Sequence, residues 1–280
     1  MKMKSKSLPK FTVSMSVYKN DNSDHFKQAL LSVVNQTVVP NEIIIVVDGP
    51  IPEKTNTILS EFEKQYDFTT VIKLEKNMGH GYARNIGLEK SSHDLVALMD
   101  SDDLCLKDRF EKQLTFFKDN KDVSILGGVI EEFQNEEDKN LPKRKLPTEN
   151  LELKKYMKYR CPFNQVSVMF NKTHVLNAGG YKDWFCNEDY YLWIRMALKN
   201  YQFHNLEDTL VKVRTNENYF KRRGGLDYFK SEAKIQKLMF SKDIISLPIF
   251  LSNVAIRFIV QVILTDKMRK HFFNAFTRSN

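Results

Sequence analysis

Three carboxylates crowd together in Asp100-Ser101-Asp102-Asp103, directly after the apolar run Leu95–Met99. Like charges at that spacing repel one another. A divalent cation relieves the repulsion, and hard oxygen donors of this kind suit Mg²⁺ or Mn²⁺ shared with substrate phosphates. A second reading makes Asp102 or Asp103 the N-cap of a helix over Lys107–Asn120; one Asp accounts for a cap, whereas three invite a metal. Upstream, Asn77-Met78-Gly79-His80-Gly81-Tyr82-Ala83-Arg84-Asn85-Ile86-Gly87 places two glycines where a chain can turn tightly into a helix, with Arg84 and Asn85 able to reach toward the same edge. Glu188 and Asp189 open a later helix, where the dipole favours carboxylates by a few tenths to ~1 kcal/mol. Lys221-Arg222-Arg223, followed by Gly224-Gly225, reads as a solvated basic loop or a cationic flap. His80, in the glycine-rich turn, either touches a ligand or packs the turn. His204, between Phe203 and Leu206, reads as a core or edge residue.

Groups like these need strand ends to hold them. Thr12–Val17, Glu42–Val47, Thr70–Leu74 and Leu95–Met99 are short apolar runs bounded by polar residues, the pattern of strands buried on both faces. Between them, Asp24–Asn35 and Glu53–Tyr66 repeat apolar residues at helical spacing. This alternation predicts an α/β fold with a mostly parallel sheet flanked by helices. In such sheets ligands bind beyond the carboxyl ends of the strands, so Tyr18-Lys19-Asn20-Asp21, Asp48-Gly49-Pro50, Asn77-Met78-Gly79 and the acidic cluster are expected to share one edge. Further along, helices are expected over Lys107–Asn120, Glu188–Asn200 and Leu226–Phe240, and strands over Val123–Val129, Val166–Phe170 and Thr209–Val213. Gln134–Lys145 is expected to be a polar loop marking a subdomain boundary.

The 280 residues are 42% hydrophobic and 28% charged, a folded globular composition. A net charge of +8 suits phosphate-bearing ligands or an anionic membrane surface; the dispersed basic residues argue against nucleic acid. Cys105, Cys161 and Cys186 are widely spaced and offer no disulfide framework or C-x-x-C metal site, and no apolar leader opens the chain, so an intracellular, reducing setting is expected. Ile244–Leu264 is strongly apolar, but Pro248, Asn253, Arg257 and Gln261 make it a poor membrane span. Lys267, Arg269, Lys270 and Arg278 follow it, a combination that fits a segment lying on an anionic leaflet or a helical hairpin packed on the domain or on a second subunit.

Tyr18, Asp48-Gly49, N-M-G-x-G-x-A-R-N-x-G at 77–87, D-S-D-D at 100–103 and N-E-D-Y-Y-L-W at 187–193 together resemble the inverting glycosyltransferase family 2. Within it, the combination V-D-G-P, D-S-D-D, E-D-Y-x-L-W and F-K-R-R-G-G resembles the bacterial branch that builds capsular, exopolysaccharide and O-antigen units, amylovoran-type transferases among them. The resemblance implies a GT-A fold, Rossmann-like, with a helical C-terminal extension. It implies a transferase domain over 1–225, with a nucleotide-sugar half at about 10–133 and an acceptor half at about 146–225; the helical, basic region at 226–280 lies beyond it, and its composition fits either the leaflet or the packed hairpin.

It also implies roles. Asp48 contacts the nucleotide base, Tyr18 the base or ribose, and Arg84 the nucleotide or its phosphates; Asn77, Gly79, Asp100 and Ser101 complete the donor site. Asp102, with Asp100, holds Mn²⁺ or Mg²⁺. Asp189 is the base that takes the proton of the acceptor hydroxyl, with Glu188 beside it, and Lys221, Arg222 and Arg223 offset the charge of the departing diphosphate. By their own chemistry, Trp184 and Phe185 either stack on a sugar or are ordinary core. Val47-Asp48 stands where the family often has two acidic residues, so one donor-binding carboxylate is missing from the pattern. The implied reaction moves a sugar from a nucleotide-diphosphate donor, UDP-linked by preference, to a glycan or polyprenyl-diphosphate-linked acceptor at the cytoplasmic face of the cell membrane. A sugar nucleotidyltransferase would want a glycine- and lysine-rich loop after the first strand, where Tyr18-Lys19-Asn20-Asp21 has no glycine. A dinucleotide-dependent oxidoreductase would want G-x-G-x-x-G there. A non-catalytic carbohydrate-binding protein would leave Asp100, Asp102, Glu188 and Asp189 without a use.

Overall fold

A computed structural model of the chain describes residues 7–134, 138, 141–215 and 223–269. Among these described residues nine strands form one sheet: β1 (Phe11–Val17), β2 (Glu42–Val47), β3 (Thr69–Lys73), β4 (Leu95–Met99), β5 (Leu104–Cys105), β6 (Val123–Phe133), β7 (Lys143–Arg144), β8 (Met169–Asn171) and β9 (Gln202–Arg214). Their order is β3-β2-β1-β4-β8-β6-β9-β5, with β7 paired to β6. Parallel pairing joins β1 to β2 and β4, β2 to β3, and β6 to β9, while β8 runs antiparallel between β4 and β6. The expected α/β architecture is therefore the one found.

The helices are α1 (Ser23–Val34), α2 (Glu53–Gln65), α3 (His80–Lys90), α4 (Arg109–Asp119), α5 (Asn150–Met157), α6 (Lys172–Asn177), α7 (Glu188–Leu198), α8 (Leu226–Ser241) and α9 (Leu247–Phe258), the last running into a π-helical turn at Ile259–Ile263. Period-two alternation on the buried strands feeds two apolar layers. Leu95, Ala97 and Met99 face the layer with Phe26, Leu30, Phe110 and Leu114, whereas Val96 and Leu98 face the one with Leu88, Phe163, Trp193 and Ile235. The chain proceeds outward from β1 through β2 to β3 and then returns to the other side of β1 as β4. A crevice opens beyond the carboxyl ends of neighbouring strands at such a reversal, which puts Tyr18–Asp21 and Asp100–Asp103 at its mouth. Gly87 brings α3 hard against β1, since a Cβ there would lie 2.3 Å from the Ser14 hydroxyl oxygen.

Several expectations are corrected. Residues 165–167 form a 3₁₀ turn instead of a strand, because the Ser167 hydroxyl donates to the Asn164 carbonyl at 2.7 Å and closes the turn locally; only Met169–Asn171 pairs. The expected polar loop contains β7, whose Lys143 amine lies 3.1 Å from Glu131 on β6. β9 begins at Gln202, well before Thr209, and a bulge absorbs its polar stretch: Gly127 pairs with Asn205, then Val129 with Thr209. The helix expected from Lys107 starts at Arg109, and neither Asp102 nor Asp103 caps it; Leu104–Cys105 intervenes as β5, and its N-cap residue is Asp108. Among the described residues, no helix is long and apolar enough to cross a membrane.

Candidate functional site

Short hydrogen bonds tie the strand ends together. Asp21, after β1, accepts the Tyr18 backbone N–H at 3.0 Å and the Ser101 hydroxyl, after β4, at 2.8 Å. Burial raises the Asp21 carboxyl above its ordinary range despite those two donors. Asp48, after β2, receives the backbone N–H groups of Met78 at 2.6 Å and Gly79 at 3.0 Å, one on each oxygen. Its carboxylate thus holds the entry to α3, and the Asn77 amide donates to its carbonyl oxygen at 3.2 Å. Gly79, at φ +90°, and Gly49, at φ +85°, take the left-handed backbone these turns require; a Cβ on Gly49 would fall 2.6 Å from the Asn77 nitrogen. The Tyr18 ring is exposed at the rim.

The acidic cluster divides. Asp103 is buried and accepts the Arg214 backbone N–H at 2.8 Å; burial, then Asp102 and Asp100, push its carboxyl well above the usual range. It anchors β9 and does not join a three-carboxylate metal site. Asp100 is 32% exposed and accepts the Arg84 guanidinium at 2.7 Å. Asp102, half-buried beside it, gives its backbone carbonyl to Arg214 at 3.1 Å. Among the described residues, no three His, Cys, Asp or Glu side chains are grouped to hold a metal by themselves. The donor set at this edge is then one or two hard carboxylates, which fits Mg²⁺ or Mn²⁺ completed by substrate phosphates and water, the usual manner of Mg²⁺ sites.

Arg84 links this cluster to the second acidic pair. Its buried guanidinium also stands 4.0 Å from Glu188 at the start of α7, and the His80 ring lies 3.5 Å from the same Glu188 oxygen. Burial works to raise the Glu188 carboxyl, but His80 and Arg84 outweigh it and hold it below the usual range. Asp189 goes the other way. Burial, then the charge of Glu188, lift it to about 6, against a backbone N–H from Tyr190 at 2.6 Å, Arg84, and the Cys161 thiol at 3.7 Å. Two adjacent carboxyls therefore stand apart in proton affinity, the pattern that separates roles in acid–base sites.

Asn85 does not reach the sheet edge with Arg84. Its side chain clamps Tyr181 instead, donating to the carbonyl at 2.5 Å and accepting the N–H at 2.7 Å, and so fixes α3 to the segment that leads into α7. Arg195 on α7 donates to the carbonyls of Ala178 and Gly180, closing the same turn. Asp21 and Cys161 are the residues sequence reasoning left without a role, and Asn85 takes a different one from the reach expected of it. Asn85 was signalled only by its place beside Arg84, Asp21 by its place after β1, and Cys161 by nothing local.

Trp184 is occupied by protein: its ring packs on Tyr191 at 4.3 Å and its N–H donates to the Ser231 carbonyl at 3.3 Å, whereas Phe185 is exposed. His204 stacks on Phe116 at 4.5 Å, as expected of an edge residue. Arg223 lies just before α8 and carries an interaction of its own. Arg222 and Lys221 lie outside the described residues.

The glycosyl transferase family 2 model matches residues 12–185, ending just before Glu188 and Asp189. A UDP-Gal:alpha-D-GlcNAc-diphosphoundecaprenol beta-1,3-galactosyltransferase of Escherichia coli is 38% identical over 262 residues, covering 92% of this chain and 93% of that protein. The amylovoran biosynthesis glycosyltransferase AmsE of Erwinia amylovora is 35% identical, over 81% of this chain and 85% of its own. Among solved structures, S. aureus TarS 1–349 superposes with a TM-score of 0.66 at 18% identity, covering 95% of this chain and 75% of TarS 1–349. The mannosyltransferase PcManGT of Pyrobaculum calidifontis, in complex with GDP-Man and Mn2+, does so at 0.64 and 14%, covering 97% and 76%. The strand-end site, the two acidic pairs joined by Arg84 and these similarities lead to one conclusion: the chain belongs to glycosyl transferase family 2 and is a glycosyltransferase of GT-A fold.

Proposed function

We propose that the protein is a metal-dependent inverting transferase that moves a sugar from a UDP-linked donor to a lipid-linked or growing surface-polysaccharide acceptor, with Asp189 as general base. One observation carries the reading. The Asp189 carboxyl, lifted to about 6 beside a Glu188 held low, has the proton affinity of a base working near neutral pH, and Arg84 connects that pair to the donor-side Asp100. The UDP preference and the lipid-linked acceptor are supported by the E. coli relative, which its name describes as acting with UDP-Gal on a diphosphoundecaprenol-linked sugar.

In this reading Tyr18, Asp48, Asn77, Gly79 and Ser101 shape the nucleotide site in the half at about 10–133, and the half at about 146–225 takes the acceptor. The acceptor hydroxyl attacks the anomeric carbon opposite the diphosphate. Its oxygen forms the new glycosidic bond, its proton passes to Asp189, and the old carbon–oxygen bond breaks with its electron pair on the departing diphosphate. Glu188, held by His80 and Arg84, keeps Asp189 poised and accepts a hydrogen bond from the acceptor. Asp102 and Asp100 would hold the divalent cation, which supplies charge neutralisation for the leaving group. Arg222 and Arg223 add cationic charge, and the chain works at the inner, anionic face of the cell membrane.

The test is Asp189→Asn assayed with UDP-sugar, Mn²⁺ and a diphosphate-lipid acceptor. General-base loss is worth roughly 10²–10⁴-fold, so kcat is expected to fall by that factor with donor affinity within about twofold of wild type. Full turnover in the variant overturns the assignment of the base.

A further inference from the structure

The segment Ile244–Leu264 is turned inside out. Asn253, Arg257 and Gln261 recur at i, i+4 and i+8 along α9 and the π turn, and a polar stripe of this spacing on a surface helix ordinarily faces water. Here it faces the protein. Asn253 is 4% exposed and donates to the Lys158 carbonyl at 2.9 Å and to Gln236 at 2.8 Å. Arg257 pairs with Glu232 on α8 at 2.6 Å and donates to the Tyr159 carbonyl at 2.6 Å, and the Gln261 side chain is buried. The opposite face carries Leu247, Leu251, Ile256, Ile259, Val262 and Ile263, all exposed, with Leu251 at 57% and Ile263 at 61%. A folded chain that spends its polar groups inward and its apolar groups outward has another apolar phase to meet.

The geometry points to that phase being the acyl boundary of an anionic membrane leaflet, into which α9 and the π turn lie flat. Length excludes a span: α9 has 12 residues and the π turn 5, short of the ~20 that cross a bilayer. Charge favours lipid over a second apolar protein face. Arg257 and Arg269 are neutralised by Glu232 and Asp266, which leaves Lys242, Lys267, Lys270 and Arg278 against Asp243 alone in the sequence of residues 241–280, and Lys242 and Lys267 are exposed at either end of the apolar face. Basic residues flanking an apolar face attract anionic headgroups. The inference deepens the functional reading above, in which the acceptor is carried by a membrane lipid. The anchor and the proposed base share α8: Glu232 holds Arg257, while the adjacent Ser231 receives the Asn187 amide at 3.0 Å and donates to the Phe185 carbonyl, just ahead of Glu188. The face thus sets the height of the acceptor site above the leaflet.

Flotation of the full chain with vesicles of phosphatidylglycerol and phosphatidylethanolamine tests this, against Leu251→Ser/Ile256→Ser/Ile263→Ser. These side chains are solvent-exposed, so the variant is expected to fold; a matching melting curve and an unchanged thermal shift with UDP-sugar verify it. The wild type is expected to float and the variant to partition at least tenfold less. Wild-type protein that stays at the bottom of the gradient overturns the inference. So does a wild-type dimer in lipid-free solution that the triple variant converts to monomer, for a second copy would then cover the face. Failure of the transferase reading is read separately, as absence of any nucleotide-sugar shift in protein that still floats.

Discussion

At the scale of single residues, the site works by setting neighbouring groups against one another. Asp189 lies in a part-buried position against Glu188, and burial with that neighbouring charge lifts its carboxyl from 3.8 to about 6. The sign of the stability effect follows. The native state binds a proton between those two values that the unfolded chain has released, so stability falls as pH rises through that window, and the deficit is complete above about 6. Asp189→Asn removes the charge. It is expected to raise Tm by a few degrees at pH 7.5, on the basis that 1 kcal/mol moves Tm by roughly 2–4 °C in a chain of this size class, and the gain is expected to vanish near pH 4, where the native carboxyl is protonated anyway. Calorimetry at the two pH values reads it, and a variant no more stable than wild type at pH 7.5 would show that the carboxyl is not held against its surroundings. The placement of Asp189, Arg84 and Asp100 at or near strand and helix ends was legible in the sequence, because their spacing follows those ends. Asp21 and Cys161 were not: what gives Cys161 its contact is α7 brought against it from 28 residues away in the chain, and no local pattern encodes that.

Among the elements, α3 is the connecting rod of the site. Its N-terminus is held by Asp48, its middle by Gly87 against β1, and its face toward α7 by Asn85 and Arg84. Asn85 makes two hydrogen bonds to the backbone of Tyr181, and their removal leaves a part-buried N–H and carbonyl without partners, at a cost of about 1–3 kcal/mol each. Asn85→Ala is expected to lower Tm and, because Glu188 and Asp189 lose their fixed distance from the donor edge, to lower kcat more than tenfold while donor binding changes little. A donor-binding loss equal to the kcat loss would place Asn85 in the nucleotide site and not in the link to α7. The elements themselves were mostly visible beforehand, since strands such as Glu42–Val47 are unbroken apolar runs. What stayed hidden depended on partners distant in sequence. β7 is two residues long and exists only because β6 offers it an edge; the early start of β9 needs a bulge opposite Gly127; and the direction of the Asn253–Arg257–Gln261 stripe is set by Glu232, Gln236 and Lys158, on elements that sequence periodicity does not join to it.

For the molecule as a whole, the strand order that reverses at β1 brings the acidic strand end of β4 and the acidic pair of α7 to either side of Arg84. A ligand that binds only the native state raises stability by RT ln(1 + [L]/Kd), about 2.7 kcal/mol at a hundredfold excess over Kd, which in a chain of this size moves Tm by roughly 5–10 °C. A panel of UDP-, GDP-, dTDP- and CMP-sugars with and without Mn²⁺ should therefore give one nucleotide class a shift of that order. Two carboxylates and a diphosphate make a complete cation site only together, so the shift should require the metal and collapse on adding EDTA. Asp102→Ala should lose the metal-dependent part, whereas Asp189→Asn should keep it, because the proposed base lies across Arg84 from Asp100. A donor shift of equal size with EDTA would remove the metal from the reading and leave Arg84 and the basic loop to meet the diphosphate charge, and a shift with GDP-sugars in place of UDP-sugars would move the donor assignment while leaving the chemistry at Asp189 as argued.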